Sequence, residues 1–342
     1  MPSHHQVALA KMPLGDGRAG TVGVMNESSL SEGAEVLRDR LARDGYLLCR
    51  DVIPRDAVLA GQRRITSELE QAGWQFEDRE GLLVADEFPR PAAWSAHTGS
   101  TVGAKLSNQA LMHTPEVLRV LEGEEIFGLF REIFGEDAST LDMKWLRAMT
   151  PAGDAPVTGD IHLDHVYMGN GSPSLTTAWV PWCDVPIDLG GLVVLEGSHR
   201  LPGFAQLRAT LGSTDADLTE YAGHTLADPH ELGALDTGAR WVTALEFNMG
   251  DLVCFTLQTL HTGIRNDSGS SLRLSADVRF QQKSEPRDPR WVSDSPDGVG
   301  VPRDSAEEIA HHASRPRPRP LAEARQLWGL GASGSSGRGA SL

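Results

Sequence analysis

The stretch DIHLDHVYM, residues 160–168, contains the tripeptide His162-Leu163-Asp164. If this stretch is extended, residues i and i+2 project from one face, and the His162 imidazole and Asp164 carboxylate converge on one point. A second histidine from another strand would complete a face of two imidazoles and one carboxylate, a ligand set that suits Fe(II) and leaves positions open for a co-substrate and O2. His261, directly after the apolar run DLVCFTLQTL, is the best placed to supply it. A His-x-Asp tripeptide is common enough by chance to mean little alone, and the plain alternative is two ordinary histidines, one on a sheet surface and one in a loop. Downstream lies Arg273-Leu274-Ser275. Its Arg and Ser again share a strand face, and a guanidinium pointing into a small barrel needs an anion. A dicarboxylate that chelates metal at one end and offers a carboxylate at the other meets that need. An internal ion pair, for instance with Asp277, is the alternative.

Other signatures of chemistry are absent. The sequence has no Gly-x-Ser-x-Gly elbow, Walker loop, His-Glu-x-x-His or Cys-x-x-Cys. One Gly-x-Gly-x-x-Gly, Gly329 to Gly334, falls in a low-complexity stretch, follows no strand pattern and lacks the acidic partner of a dinucleotide site.

The elements that must position these residues are short β-type runs. From Leu141 onward LDMKWLRAM, DIHLDHVYM, LTTAWVPWCDV, GLVVLEG, ARWVTALEF, DLVCFTL, GIRN and LRLSADVRFQ are separated by Gly, Pro, Asp and Asn turns. Such a series predicts a β-sandwich or barrel, with a jelly roll as the natural candidate. Ahead of it the spacing predicts a helix over residues 32–43 behind a Ser31 cap, a strand at Tyr46–Cys49, a second helix from Pro54 to about Gln71, and helical pattern over residues 115–134. Residues 201–238 break the strand rhythm and are expected to form an insertion or lid. Residues 1–28 and 313–342 are expected to be mobile tails around one catalytic domain, 29–312. A short helical pattern at residues 322–328 is a candidate to fold back on the body.

Composition narrows the function. The chain has 342 residues with 36 Gly and 20 Pro, too many for a helical bundle. Lys and Arg total 31 against 47 Asp and Glu, and a formal charge of −16 argues against nucleic acid and anionic membranes as partners. Cys49, Cys183 and Cys254 are odd in number and widely spaced, which predicts buried free thiols and a reducing, cytoplasmic setting. No signal peptide or membrane span is apparent.

Taken in order, His-x-Asp, about a hundred residues, Gly-Asp with an apolar run before a His, then Arg-x-Ser, the chain resembles the phytanoyl-CoA dioxygenase family of Fe(II)/2-oxoglutarate oxygenases. DVPIDLGGLVVLEGSH, residues 184–199, resembles that family's segment ending in Pro-Gly-Ser-His, with Glu196 in place of Pro. LRLSADVRFQ resembles its closing strand and DGYLLCRDVI its opening, over roughly residues 31–285. The resemblance implies a mainly β fold with flanking helices, built on a double-stranded β-helix (jelly-roll, cupin-like) core. It further implies Fe(II) on His162, Asp164 and His261, the distal carboxylate of 2-oxoglutarate on Arg273 with Ser275 assisting, and Trp179 beside the co-substrate. Lys144 and Met149 lie on a strand that commonly lines that pocket. His165 is expected on the opposite face, and His199 to hold a loop. The implied reaction consumes O2 and 2-oxoglutarate. Hydroxylation of an unactivated C–H in a small molecule of specialised metabolism, such as antibiotic biosynthesis, is the first expectation. Desaturation, cyclisation or epimerisation would use the same site, and Asp164 argues against halogenation. The overall charge favours a neutral or cationic small molecule over a CoA ester, with the protein a monomer or homodimer. A non-catalytic jelly-roll binding protein and a Zn or Mn cupin-type enzyme are the readings from other classes.

Overall fold

Eight strands carry the core of the computed structural model: β1 (Tyr46–Cys49), β2 (Trp145–Met149), β3 (Thr176–Pro181), β4 (Leu192–Glu196), β5 (Arg240–Thr243), β6 (Leu252–Thr256), β7 (His261–Gly263) and β8 (Ser271–Gln282). The structure describes residues 13–71, 73–75, 77–79, 81–85, 109–151, 161–210, 229–293 and 326–330. The larger sheet runs β1-β6-β3-β8 with β2 also on β8, all antiparallel. The smaller runs β5-β4-β7, also antiparallel. The two curl over one another into the jelly roll that the alternating, turn-punctuated sequence predicts.

The longest strand, β8, shows how the layers arise. Leu272, Leu274, Ala276, Val278 and Phe280 point outward into the cluster formed with the helices. Arg273, Ser275, Asp277 and Arg279 alternate with them and face the other sheet, and both sets are buried. Four helices cover the outer face: α1 (Ala34–Asp44), α2 (Arg55–Gln71), α3 (Pro115–Leu121) and α4 (Glu124–Phe134). Phe280 anchors this contact, stacked on Phe130 of α4 at 4.0 Å and edge-on to Phe127 at 5.2 Å. Its burial stabilises the layer by roughly 2–3 kcal/mol. The α1 helix follows Gly33, and the Ser29 side chain caps the preceding short 3-10 turn instead of Ser31 capping the helix. It ends at Gly45 in the left-handed region, φ 87°. A side chain there would meet His199 Nδ1 at 2.5 Å. His199 Nε2 donates to the Ala42 carbonyl at 2.9 Å, tying the loop after β4 to the helix end in the structural role expected.

Parts of the expected tails are ordered elements. Gly23–Val24 pairs parallel with β5, Glu27–Ser28 pairs parallel with β1, and Val22 and Met25 are buried, so residues 13–28 are not a tail. At the other end Trp328 and Leu330 are buried against the outer face of the smaller sheet, and Trp328 Nε1 donates to Thr210 Oγ1 at 2.7 Å. The flanks of the 201–238 insertion, Ala205–Thr210 and Pro229–Ala234, are short helices in that same cluster with Trp241 of β5. The middle of the insertion, 211–228, and most of the two expected tails lie outside the described residues. All three cysteines are free and buried. Among the described residues no helix is long and apolar enough to cross a membrane.

Candidate metal centre

The chain brings His162, Asp164 and His261 together between the two sheets. Their ligand atoms all lie within 4.8 Å of one another, with His162 Nε2 3.5 Å and His261 Nε2 3.7 Å from Asp164 Oδ1. The route differs from the one expected. DIHLDHVYM is not a strand: His162 makes a single antiparallel bridge to His261, with two backbone hydrogen bonds of 3.1 Å, and Asp164 is already helical at φ −63°, ψ −23°. It precedes a short helix, His165–Met168. A bridge followed by a turn thus does what a regular strand was expected to do. His165 opens that turn, its backbone N–H donating to the Leu257 carbonyl at 3.0 Å, and its imidazole is outside the converging group.

Each ligand is held by a partner. The His261 Nδ1 donates to the Thr259 carbonyl at 3.0 Å, which leaves the Nε2 lone pair facing Asp164. Burial, with His162 alongside, pushes the His261 imidazole down to about 3, so it is neutral, the form that ligates metal. The Asp164 Oδ2 accepts from Thr177 Oγ1 and, at 3.2 Å, from Arg279 Nη2, which leaves Oδ1 turned towards the two histidines. Burial alone would raise the Asp164 carboxyl, but Arg279 and the neighbouring His162 outweigh it and hold the group well below the usual carboxylate range. Two imidazoles and a carboxylate fixed on one side of a point, with hydrogen bonds behind His261 and Asp164, fit a divalent metal ion.

The second half of the site lies further along β8. Arg273 is 2% exposed, and its Nη1 donates to the Gly190 and Gly191 carbonyls while Nη2 abuts Met149 Sδ. No described carboxylate lies within ion-pair distance of it, and its Nε has no partner. The expected alternative, a pair with Asp277, does not form, because Asp277 accepts from Arg147 Nε at 2.7 Å. Ser275 Oγ, on the same face, is likewise buried without a partner. A buried cation without a described counter-charge, beside a buried hydroxyl without a described partner, fits the carboxylate of a small dicarboxylate. Trp179 faces inward on β3, edge-on to Phe247 at 4.9 Å, between the level of Thr177 and that of Ser275. Met149 joins Arg273, whereas Lys144 turns away to Glu122 at 2.7 Å and the Leu141 carbonyl.

Sequence reasoning missed Arg279, Thr177 and Arg147. Arg279 was legible, because the alternation that pairs Arg273 with Ser275 continues through Asp277 to it. Thr177 stands two residues before Trp179 on the same face. Nothing in the sequence brought Arg147 to Asp277, since they lie on different strands.

The chain matches the family model for phytanoyl-CoA dioxygenase (PhyH) over residues 41–274. No curated protein matches it. Among solved structures, the epimerase SnoN in complex with Fe3+, alpha ketoglutarate and nogalamycin RO aligns with a TM-score of 0.50 at 18% identity, covering 80% of this chain and 91% of that one. The carbocyclase SnoK from nogalamycin biosynthesis gives 0.48 at 17% identity, over 78% and 90% of the two chains. AviO1 from Streptomyces viridochromogenes Tue57 gives 0.46 at 18% identity, over 75% and 98%. At such identities the SnoN likeness concerns the fold, and it is the fold described above. The family model spans most of the chain, from β1 into β8, so this chain belongs to the phytanoyl-CoA dioxygenase family.

Proposed function

We propose that the protein is an Fe(II)/2-oxoglutarate-dependent oxygenase in which His162, Asp164 and His261 hold the iron and Arg273 anchors the co-substrate. The observation that carries this reading is the pairing of a metal-type triad with a buried guanidinium that has no carboxylate partner among the described residues. When bound, iron with 2-oxoglutarate and O2 supplies oxidation of an unactivated C–H, with the co-substrate converted to succinate and CO2. Arg279 and Thr177 fix the Asp164 carboxylate, and the Thr259 carbonyl fixes the tautomer of His261. Arg273 takes the distal carboxylate of 2-oxoglutarate, Ser275 donates to it, and Trp179 and Met149 wall that end off from water. Phe255 packs on His261 with ring centroids 4.3 Å apart and shields the inner side of the triad.

Hydroxylation of a small molecule of specialised metabolism is the first outcome of this site. Epimerisation or ring closure would use the same residues with the substrate held differently, and SnoN, which shares the fold, is an epimerase. Anaerobic addition of Fe(II) and 2-oxoglutarate tests the reading: the expected result is the weak visible charge-transfer band of the chelate, then succinate on admitting air. Absence of both sinks it, and Asp164→Ala should abolish both.

A further inference from the structure

A third guanidinium stands on the inner face of the larger sheet. Arg147, on β2, lies across from Ser275, and its Nε donates to Asp277 Oδ2 at 2.7 Å. Arg279 Nη2 is 4.0 Å from that same oxygen and 3.2 Å from Asp164 Oδ2, so Arg147 is connected to the metal group through two charged neighbours. Neither Nη nitrogen of Arg147 has a partner among the described residues. Its side chain is 30% exposed, against 4% for Arg279.

Among the described residues the charges on this face do not balance. Arg147, Arg273 and Arg279 meet Asp164 and Asp277, an excess of one positive charge. A divalent cation and a dicarboxylate arriving together leave that excess unchanged. In an interior of low dielectric an uncompensated cation favours an anionic ligand. Arg279 Nε and Nη1 and Arg273 Nε are also without partners but buried, and Arg147 is the one of the three guanidiniums exposed enough for an incoming ligand to reach. Beside it runs a row of half-buried rings. Trp145, two residues before Arg147 on the same strand face, is 6.4 Å from Trp291 at 55°. Trp291 Nε1 donates to the Tyr167 carbonyl at 3.2 Å, and the Tyr167 ring stands edge-on to His162 at 5.7 Å. The row therefore leads from the strand of Arg147 to a residue of the triad.

We infer that Arg147 binds an acidic group of the primary substrate while the Trp145, Trp291 and Tyr167 row takes its planar body, so that the substrate is an aromatic or conjugated carboxylic acid. This rests on the oxygenase reading for which ligand counts as the substrate. It reverses the preference for a neutral or cationic molecule drawn from the charge of the whole chain. Surface charges are screened within about 10 Å, whereas Arg147 would touch the ligand.

The test uses the whole protein with Fe(II) and 2-oxoglutarate under anaerobic conditions, and 2-naphthoate and 2-naphthamide as probes in titration calorimetry. The wild type should bind the acid about tenfold to a hundredfold more tightly than the amide, the range of a charge-assisted hydrogen bond. Arg147→Gln should lose that preference while keeping its charge-transfer band and its 2-oxoglutarate requirement, with some loss of melting temperature from the unpaired Asp277, and Arg147→Lys should retain most of the preference. Equal binding of acid and amide by the wild type, or no binding of either, overturns the inference. So does an Arg147→Gln variant whose only change is a raised 2-oxoglutarate requirement, which would assign Arg147 to the co-substrate. An acid preference that depends on Arg147 in a protein giving no charge-transfer band would refute the oxygenase reading while upholding the anion site.

Discussion

Replacing Arg273 by Met should make the protein more stable and bind 2-oxoglutarate worse. Burial, with Arg147 nearby, pushes the guanidinium down from its ordinary value to about 10. It stays protonated at neutral pH, and the shift corresponds to a penalty of about 3 kcal/mol in the folded state. A depressed base carries this penalty at all pH values below about 10 and loses it only as the pH rises beyond that towards the ordinary guanidinium value. Methionine fills similar space without a charge. It leaves the Gly190 and Gly191 carbonyls without their donor, which offsets the gain by about 1–2 kcal/mol. The net expectation is a stabilisation of about 1–2 kcal/mol, or a melting temperature higher by roughly 2–4 °C in the absence of ligand. Loss of a charge-assisted pair to the distal carboxylate costs about 3 kcal/mol of binding, on the order of a hundredfold in Kd. Thermal melts with and without 2-oxoglutarate, alongside the anaerobic charge-transfer titration, read both effects. The co-substrate should raise the melting temperature of the wild type by more than that of the variant at equal concentration. A variant that melts lower without ligand and binds 2-oxoglutarate normally would show that Arg273 is a structural cation and refute the reasoning.

Three further outcomes follow from the packing and the hydrogen bonds. Thr177→Val removes a donor from Asp164 Oδ2 and should weaken Co(II) binding about tenfold to a hundredfold without unfolding the protein; unaltered affinity would take Thr177 out of the site. Burial pushes Cys49 and Cys183 up to about 12 and Cys254 well above the ordinary thiol range, so a thiol reagent at pH 8 should label none of them before unfolding and all three afterwards. Phe280→Ala empties the stack on Phe130 and should cost about 3–5 kcal/mol in urea unfolding, with the slope unchanged; a loss under about 1 kcal/mol would mean that the helix layer does not lean on that ring.

The sequence by itself determined which residues are polar within otherwise apolar strands, and this was enough to expect the jelly roll and, with the family resemblance, to single out His162, Asp164, His261 and Arg273 as candidates. Period-two alternation is local, so LRLSADVRFQ announces one apolar and one polar face whatever it packs against, and a buried polar face calls for ligands. Local pattern does not carry pairing between distant strands. Only the tertiary structure decided that Asp277 answers Arg147 and leaves Arg273 alone, because that depends on the register of β2 against β8. Tertiary contact likewise turned DIHLDHVYM from a strand into a bridge and a turn, since the single His162–His261 pairing fixes the first ligand and leaves the chain free to coil at Asp164. The same holds for residues 13–28, whose sequence has no periodicity of its own, and for the place where the helical pattern ending at Trp328 docks. These segments are ordered because strand edges and an apolar sheet face elsewhere in the chain are there to receive them.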